Sequence, residues 1–307
     1  SILLLLIAGL SLTISAQETI DILSLTARYG LPGAYQDPGY TGEATELGSI
    51  NSLQAGFNLS EQTMVVFNLN HFYFNLQGDP EPLFPNGIAN PVKVNGFIFR
   101  AGIRQYLNDG RRIQVMVVPR LMSDFQNLDG NSFMFGALAS YLKKYNSDLS
   151  LGVGAMYNTE LFGPYLVPFI DLNWKVADKW RIRGLVPITL RVEYALNENM
   201  LVGFNHFGLI TTYALGADAY AGDYMERQSI DLSLFARQRL AGNIFVEGMV
   251  GRAVGRSYDQ YAGDQKVDFA IPLVAIGDDR VLKNEYACFD DGLILTLKLI
   301  YNMPMPE

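Results

Sequence analysis

The stretch LILTLKLIY, residues 293–301, puts Leu293, Leu295, Leu297, Leu299 and Tyr301 on one side of an extended chain and Thr296 and Lys298 on the other. Successive side chains of a β-strand point to opposite faces, so a period of two describes a strand with one apolar and one polar surface. One surface suits lipid and the other suits water. Upstream, Ile188, Leu190, Val192, Tyr194 and Leu196 oppose Thr189, Arg191 and Glu193, and Ile230, Leu232, Leu234 and Ala236 oppose Ser229, Asp231, Ser233 and Arg237. Ile113, Val115, Val117, Pro119 and Leu121 oppose Arg112, Gln114, Arg120 and Asp124, and Leu149, Leu151, Val153 and Ala155 oppose Ser150, Gly152 and Gly154. Ile294, Phe235, Met116 and Val118 break the pattern by falling on the polar side.

Turn chemistry separates these segments and gives them a direction. Short polar connections fall at Ser60–Gln62, Asn108–Arg111, Tyr145–Asp148, Ala177–Lys179, Asn197–Asn199 and Leu240–Asn243, and long ones at Gln77–Lys93, Gly216–Met225 and Ser257–Asp291. Short turns on one side and long loops on the other is the outer-membrane pattern, with the short turns in the periplasm. The reading is all-β, a single antiparallel transmembrane barrel of about 14 strands. They lie near 21–30, 44–59, 63–76, 94–107, 112–125, 132–144, 149–158, 164–176, 180–186, 188–196, 200–215, 226–240, 243–256 and 292–302. Twelve or 16 strands are the alternatives: 180–186 and 188–196 meet at Pro187 and could fuse, and Val267–Ile276 with Val281–Phe289 could add a hairpin. A soluble sandwich or propeller would show neither the turn and loop asymmetry nor polar faces so rich in Gly, Ser and Arg, and no blade-length repeat is present.

Composition agrees with a barrel. The 307 residues are 49 % hydrophobic and 12 % aromatic, which excludes disorder, and no segment after Ser15 is apolar for long enough to be a membrane-spanning helix. Ile2–Leu10 followed by Ile14, Ser15 and Ala16 reads as a secretory signal over residues 1–16 with its basic n-region missing, cut before Gln17, which leaves 17–307 as the barrel domain. No Cys follows the cut, which argues against a lipoprotein, and the lone Cys288 excludes a disulfide framework or a thiolate metal cluster. A net charge of −8 argues against a nucleic-acid partner.

Candidate functional residues are those expected to face the lumen: Arg100, Arg104, Arg120, Asp124, Asp171, Arg181, Arg183, Arg191, Glu193, Asp231, Arg237, Arg239, Glu247 and Lys298. Water in the lumen tolerates such charges, whereas Arg or Lys on the lipid face costs roughly 2–4 kcal/mol at the midplane. They form either a cationic solute path or an ion-pair network bracing a closed lumen, and sequence leaves both open because pairing across strands depends on shear. His71 and His206 occupy similar Asn-His-Phe settings, with no Ser nucleophile within two residues along either strand, and read as interface or lumen histidines. Phe72, Tyr73, Phe74, Phe97, Phe99, Phe133, Phe135, Trp174, Trp180, Tyr213 and Tyr301 near strand ends are expected to form interfacial girdles. The loop from Ser257 to Asp291 carries eight acids, Asp259, Asp264, Asp268, Asp278, Asp279, Glu285, Asp290 and Asp291, against Lys266, Arg280 and Lys283. It lacks calcium-loop spacing and reads as solvated charge, so neither metal nor cofactor is implied.

With the leader ending Ile14, Ser15, Ala16, Gln17, the opening strand DILSLTARYG from Asp21 to Gly30 and the closing strand Leu293–Tyr301, the chain resembles a family of outer-membrane β-barrels of unknown function from Bacteroidetes-type bacteria. The resemblance covers nearly all of the mature chain and carries over no catalytic residue. Six residues, Asn302 to Glu307, follow Tyr301, so the barrel-assembly machinery would read this aromatic internally. The expectation is a non-enzymatic barrel in contact with outer-membrane lipid, either a narrow passive channel for small solutes or a plugged structural barrel. An outer-membrane hydrolase, and a surface-binding barrel acting through its acidic loops, are the alternatives.

Overall fold

The computed structural model describes residues 19–35, 42–79, 88–89, 92–283 and 290–304; the apolar leader, Glu285 and Cys288 lie outside them. Fourteen antiparallel strands form one barrel. The first seven are β1 (Thr19–Ala34), β2 (Glu43–Asn58), β3 (Thr63–Asp79), β4 (Val92–Tyr106), β5 (Arg111–Val117 and Arg120–Ser123), β6 (Phe133–Met134 and Gly136–Lys144) and β7 (Leu149–Glu160). The rest are β8 (Gly163–Ala177), β9 (Trp180–Val186), β10 (Thr189–Asn197), β11 (Met200–Ala214), β12 (Tyr224–Ala241), β13 (Ile244–Tyr261) and β14 (Leu293–Pro304). β14 closes the ring on β1, with Leu299 opposite Leu25 and Leu297 opposite Ala27. Strands 180–186 and 188–196 are indeed separate and antiparallel.

Three expectations are corrected. β13 continues to Tyr261, so Ser257 and Asp259 belong to a strand and the acidic loop starts later. β3 likewise runs to Asp79. The possible fifteenth and sixteenth strands are only a short hairpin, Phe269–Ile271 with Val274–Ile276, which meets the wall at a single bridge, Ala270 to Tyr165 of β8. Residues 284–289, which would complete the larger version, lie outside the described residues.

Both ends of the described chain, together with the six short turns, lie at one end of the barrel, Thr19 pairing with Pro304. The exterior is apolar: Val153, Leu234 and Leu297 are about three-fifths exposed, as are many of their outward neighbours. A continuous apolar belt on a sheet whose backbone is paired from strand to strand is the exterior of an outer-membrane barrel. The turn end therefore faces the periplasm.

At the opposite, loop end the barrel is pinched. Ser123 of β5 bridges across the lumen to Ala214 of β11. Phe72, Phe74, Val94, Met122, Tyr213 and Met225 fill the space between the walls. Phe72, Phe74 and Tyr213 are thus not girdle residues: their parity points them inward, and they are almost wholly buried. The girdle reading holds for Phe97, Phe99, Phe133, Phe135, Trp174 and Trp180, which are exposed on the outside. The four breaks in the alternation have the same cause, since Met116, Val118, Phe235 and Ile294 are buried on the inner face. A Cβ on Gly96 would lie 2.6 Å from Met122 Sδ, so glycine there lets the plug close.

Alternation along β13 shifts at a bulge. Gln228 pairs with Ser257 but Ile230 with Val254, so β13 carries one extra residue, accommodated by Gly255 at φ +58°. The shift turns Arg256, Tyr258 and Gln260 inward after Glu247, Met249 and Ala253. We expect Gly255→Val to lower stability by about 1–2 kcal/mol, the cost of a side chain in left-handed backbone. Urea unfolding in detergent, read by heat-dependent gel mobility, checks this, with Gly130→Val as the neutral control because nothing lies within 4 Å of its added Cβ.

Candidate functional site

Below the plug lies a cavity of about 1660 Å³. It runs from Ile22, Gln54, Tyr106, Asn243 and Tyr301 at the turn end up to Tyr165, Val167 and Thr211. Inward parity brings the polar residues of every strand to this space, because only there can a charge keep water or an opposite charge.

The charges form two networks. Near the turn end Glu247 receives Arg191 at 2.7 Å, Arg237 at 3.3 Å and Lys298 at 3.7 Å. Glu193 receives Arg191 at 3.1 Å and Arg183 at 2.9 Å. Asp21 takes Arg237 at 2.5 Å and the Asn302 amide at 2.7 Å. Beneath the plug, Arg28 pairs with Asp231 at 3.0 Å and abuts Glu46, which also accepts from Arg227 at 3.3 Å and from the Tyr258 hydroxyl at 2.6 Å. The Arg227 guanidinium stacks over Phe74 at 3.6 Å, which couples this network to the plug.

Higher on the wall, Arg120 pairs with Glu160 at 2.8 Å, whose other oxygen accepts the Thr212 hydroxyl at 2.8 Å. Asp171 pairs with Arg112 at 3.3 Å. Asp124 is a loop-end residue whose carboxylate accepts the Gly216 N–H at 3.0 Å. Arg100, Arg104, Arg181 and Arg239 have no carboxylate within ion-pair distance among the described residues. Arg100 instead donates to Asn68 at 2.7 Å and Asn70 at 2.5 Å, and Arg104 donates to Gln114 at 2.9 Å.

Of the two histidines, His71 lies apart from the cavity and His206 lies at its wall. His71 has outward parity, 3.3 Å from Asn51 and with its ring tilted against Phe97 at 4.7 Å, and His206 sits between the lipid-facing Leu190 and Leu232. The described part of the acidic loop is tied down: Arg280 binds Asp278 at 2.9 Å and Glu226 at 2.6 Å, and Lys283 binds Asp223 at 2.5 Å. The hydrogen bond from Arg280 holds the Asp278 carboxyl below its ordinary range. No group of three or more metal-ligating side chains occurs among the described residues.

The profile of a family described as a domain of unknown function, DUF6268, matches residues 58–268. The chain belongs to this family. Curated protein sequences give no significant match. Solved structures with a similar course include an outer membrane channel from Pseudomonas putida F1, at 9 % identity and TM-score 0.43, covering 95 % of this chain and 97 % of that one. The monoaromatic hydrocarbon channel TodX matches at 9 % identity and TM-score 0.42, over 95 % and 91 % of the two chains. The NanC porin matches at 8 % and 0.34, over 90 % and 98 %. Such distant likenesses do not bear on what passes through this DUF6268 barrel.

The matched region of the DUF6268 chain holds Arg227 and most of the inward charges, but not Asp21, Arg28, Glu46 or Lys298, which close the networks from β1, β2 and β14. Sequence reasoning missed Asp21, Arg28, Glu46, Glu160 and Arg227. Arg28 and Arg227 were legible, since they keep parity with Thr26 and Ser229. Asp21 and Glu160 stand at strand ends, where parity gives little warning. Glu46 and the Arg28 side chain are almost without solvent contact, so Glu46→Gln should leave Arg227 without a carboxylate and Arg28 with Asp231 alone, and cost about 3–5 kcal/mol. The double variant Glu46→Leu, Arg227→Met, which keeps the Arg28–Asp231 pair, should recover most of that loss in the same unfolding assay.

Proposed function

We propose that this barrel is a passive, non-enzymatic channel for small molecules in the outer membrane of a Bacteroidetes-type bacterium, entered from the periplasmic end and closed in this state by its plug. Its partners are the surrounding lipid and the assembly machinery that inserts it. The observation that carries the reading is the cavity of about 1660 Å³ with three guanidinium groups on its wall, Arg100, Arg104 and Arg239, left without carboxylates among the described residues. A lumen that served only as a brace would be expected to neutralise its own charges and fill its own space. Here most charges do neutralise one another, and the remainder is cationic. Such a wall favours anionic or polar solutes over cations.

The hydrolase reading has less support, because both histidines have outward parity and only His206 reaches the cavity wall, so the two do not converge there. The surface-binding reading has less support as well, because Asp223, Glu226 and Asp278 are engaged by the loop's own Arg280 and Lys283.

The test is single-channel conductance in planar bilayers, with gel mobility to verify folding. The wild-type barrel should be nearly silent. Phe74→Ala with Tyr213→Ala should open steps that favour anions, and adding Arg100→Ser and Arg104→Ser should bring the anion preference towards unity without abolishing the steps. A folded, unplugged variant that passes no current would overturn the reading.

A further inference from the structure

The wall of the barrel is not of even height. β9 and β10 are short, and their connection at Pro187 stops them halfway up their neighbours. β8 pairs with β9 only from Ile170 to Ala177, and β11 pairs with β10 only from Met200 to Phe207. Above those levels, residues 163–169 of β8 and 208–214 of β11 face each other across two missing strands. Three inter-strand spacings amount to roughly 14 Å. The two edges are joined again only higher up, where Thr212 N–H donates to the Glu160 carboxylate at 3.0 Å and Leu161 N–H donates to the Thr212 hydroxyl at 2.8 Å.

The exposed edges are finished chemically. In β8 the odd-numbered residues direct their N–H toward β7, as the bond from Lys175 to Asp148 indicates. The even-numbered residues direct theirs toward the opening. Two of those positions, Pro164 and Pro168, are prolines and have no N–H to leave unpaired. In β11 the even-numbered N–H groups face the opening, as Gly208 donating to Ile188 indicates, and Thr212 is satisfied by Glu160. The prolines limit further pairing of the β8 edge to the single bridge between Tyr165 and Ala270 of the loop hairpin, so β8 and β11 cannot zip shut.

The cavity passes through this opening. Adjacent residues on a strand normally face opposite sides of a wall, yet Phe207, Gly208, Leu209 and Ile210 all line the same cavity, as do Pro187 and Ile188 at the sill. Leu273, at the tip of the loop hairpin, lines it too. It is a non-glycine residue held at φ +68° and three-quarters exposed. Ile271, Val274 and Ile276 of that hairpin are exposed as well, an apolar group that water would not favour. The opening lies within the lipid-facing belt, since Gly208 is level with Ile230 and Pro168 is level with Ala155, next to Val153.

We propose that this opening is a lateral window through which small uncharged hydrophobic molecules pass between the bilayer hydrocarbon and the lumen, and so to and from the periplasmic end. The inference rests on the channel reading and goes beyond it, adding apolar molecules that enter from the bilayer to the anionic and polar solutes favoured by the charged wall. Apart from Glu160 at the upper corner, which Arg120 neutralises, the rim residues named above are uncharged, so a charged solute gains little there, whereas an apolar one leaves lipid without crossing a polar headgroup layer.

The test uses the full barrel in phosphatidylcholine vesicles containing an apolar aryl-diazirine hydrocarbon, photolysed and mapped by mass spectrometry. Adducts are expected on lumen-facing Phe207 and Leu209 as well as on outward Leu232 and Leu234. Gly208→Trp, or Leu166→Trp if the first variant fails to fold, should cut the lumen adducts by about tenfold or more and leave the outward ones unchanged. Absence of lumen adducts in the wild type, or lumen labelling indifferent to both tryptophans, would overturn the window. A barrel that conducts once unplugged yet shows no lumen adduct keeps the channel and loses the window. One that labels but never conducts has a window onto a blind pocket, and both the channel and the transfer fail.

Discussion

Every backbone N–H and C=O that meets hydrocarbon must find its partner in protein, and this constraint shapes the whole molecule. It demands a sheet closed on itself, which β14 supplies by pairing with both β13 and β1. Closure makes alternation obligatory, so each strand sends one set of side chains to lipid and the other to the lumen. The place where closure is incomplete shows the same constraint at work. Between β8 and β11, two prolines, a carboxylate, a hydroxyl and the bridge from Ala270 of the loop hairpin stand in for the missing strands.

The inner face then has its own electrostatic problem. Fourteen strands bring many guanidinium groups into one narrow space, and burial without opposite charge would cost several kcal/mol for each ion. The solution differs with depth. Near the periplasmic end Glu193 and Glu247 are each shared among several cations beside the cavity. Beneath the plug Glu46 is enclosed by Arg28, Arg227 and Tyr258, and Arg227 lies flat on Phe74. Apolar plug and ion cluster therefore form one packed unit, so the seal and the charge network are expected to fail together.

Much of this was legible in the chain itself. The period of two in LILTLKLIY and its counterparts gave the strands, their faces and most of the inward charges, though not the cluster around Glu46. Where it misled, the local signal was ambiguous. An aromatic residue near a strand end serves equally as girdle or plug, and Phe72, Phe74 and Tyr213 were separated from Phe97 and Trp180 only by what stands across the lumen. The end of β13 was misjudged because Gly255 shifts the alternation by one residue and makes a continuing strand look like a loop.

The sequence by itself determined the class of fold, the number of strands and the inner and outer faces, because these follow from local alternation and turn chemistry along a single strand. Only the tertiary structure decided which carboxylate neutralises which arginine, where the lumen is sealed and where the wall is low. Those depend on the stagger of strands around the ring, which sets neighbours as remote in sequence as Asp21 and Arg237 or Glu46 and Tyr258. Pro164, Pro168 and Pro187 are visible in the chain, but their meaning emerges only once the strands beside them are seen to stop.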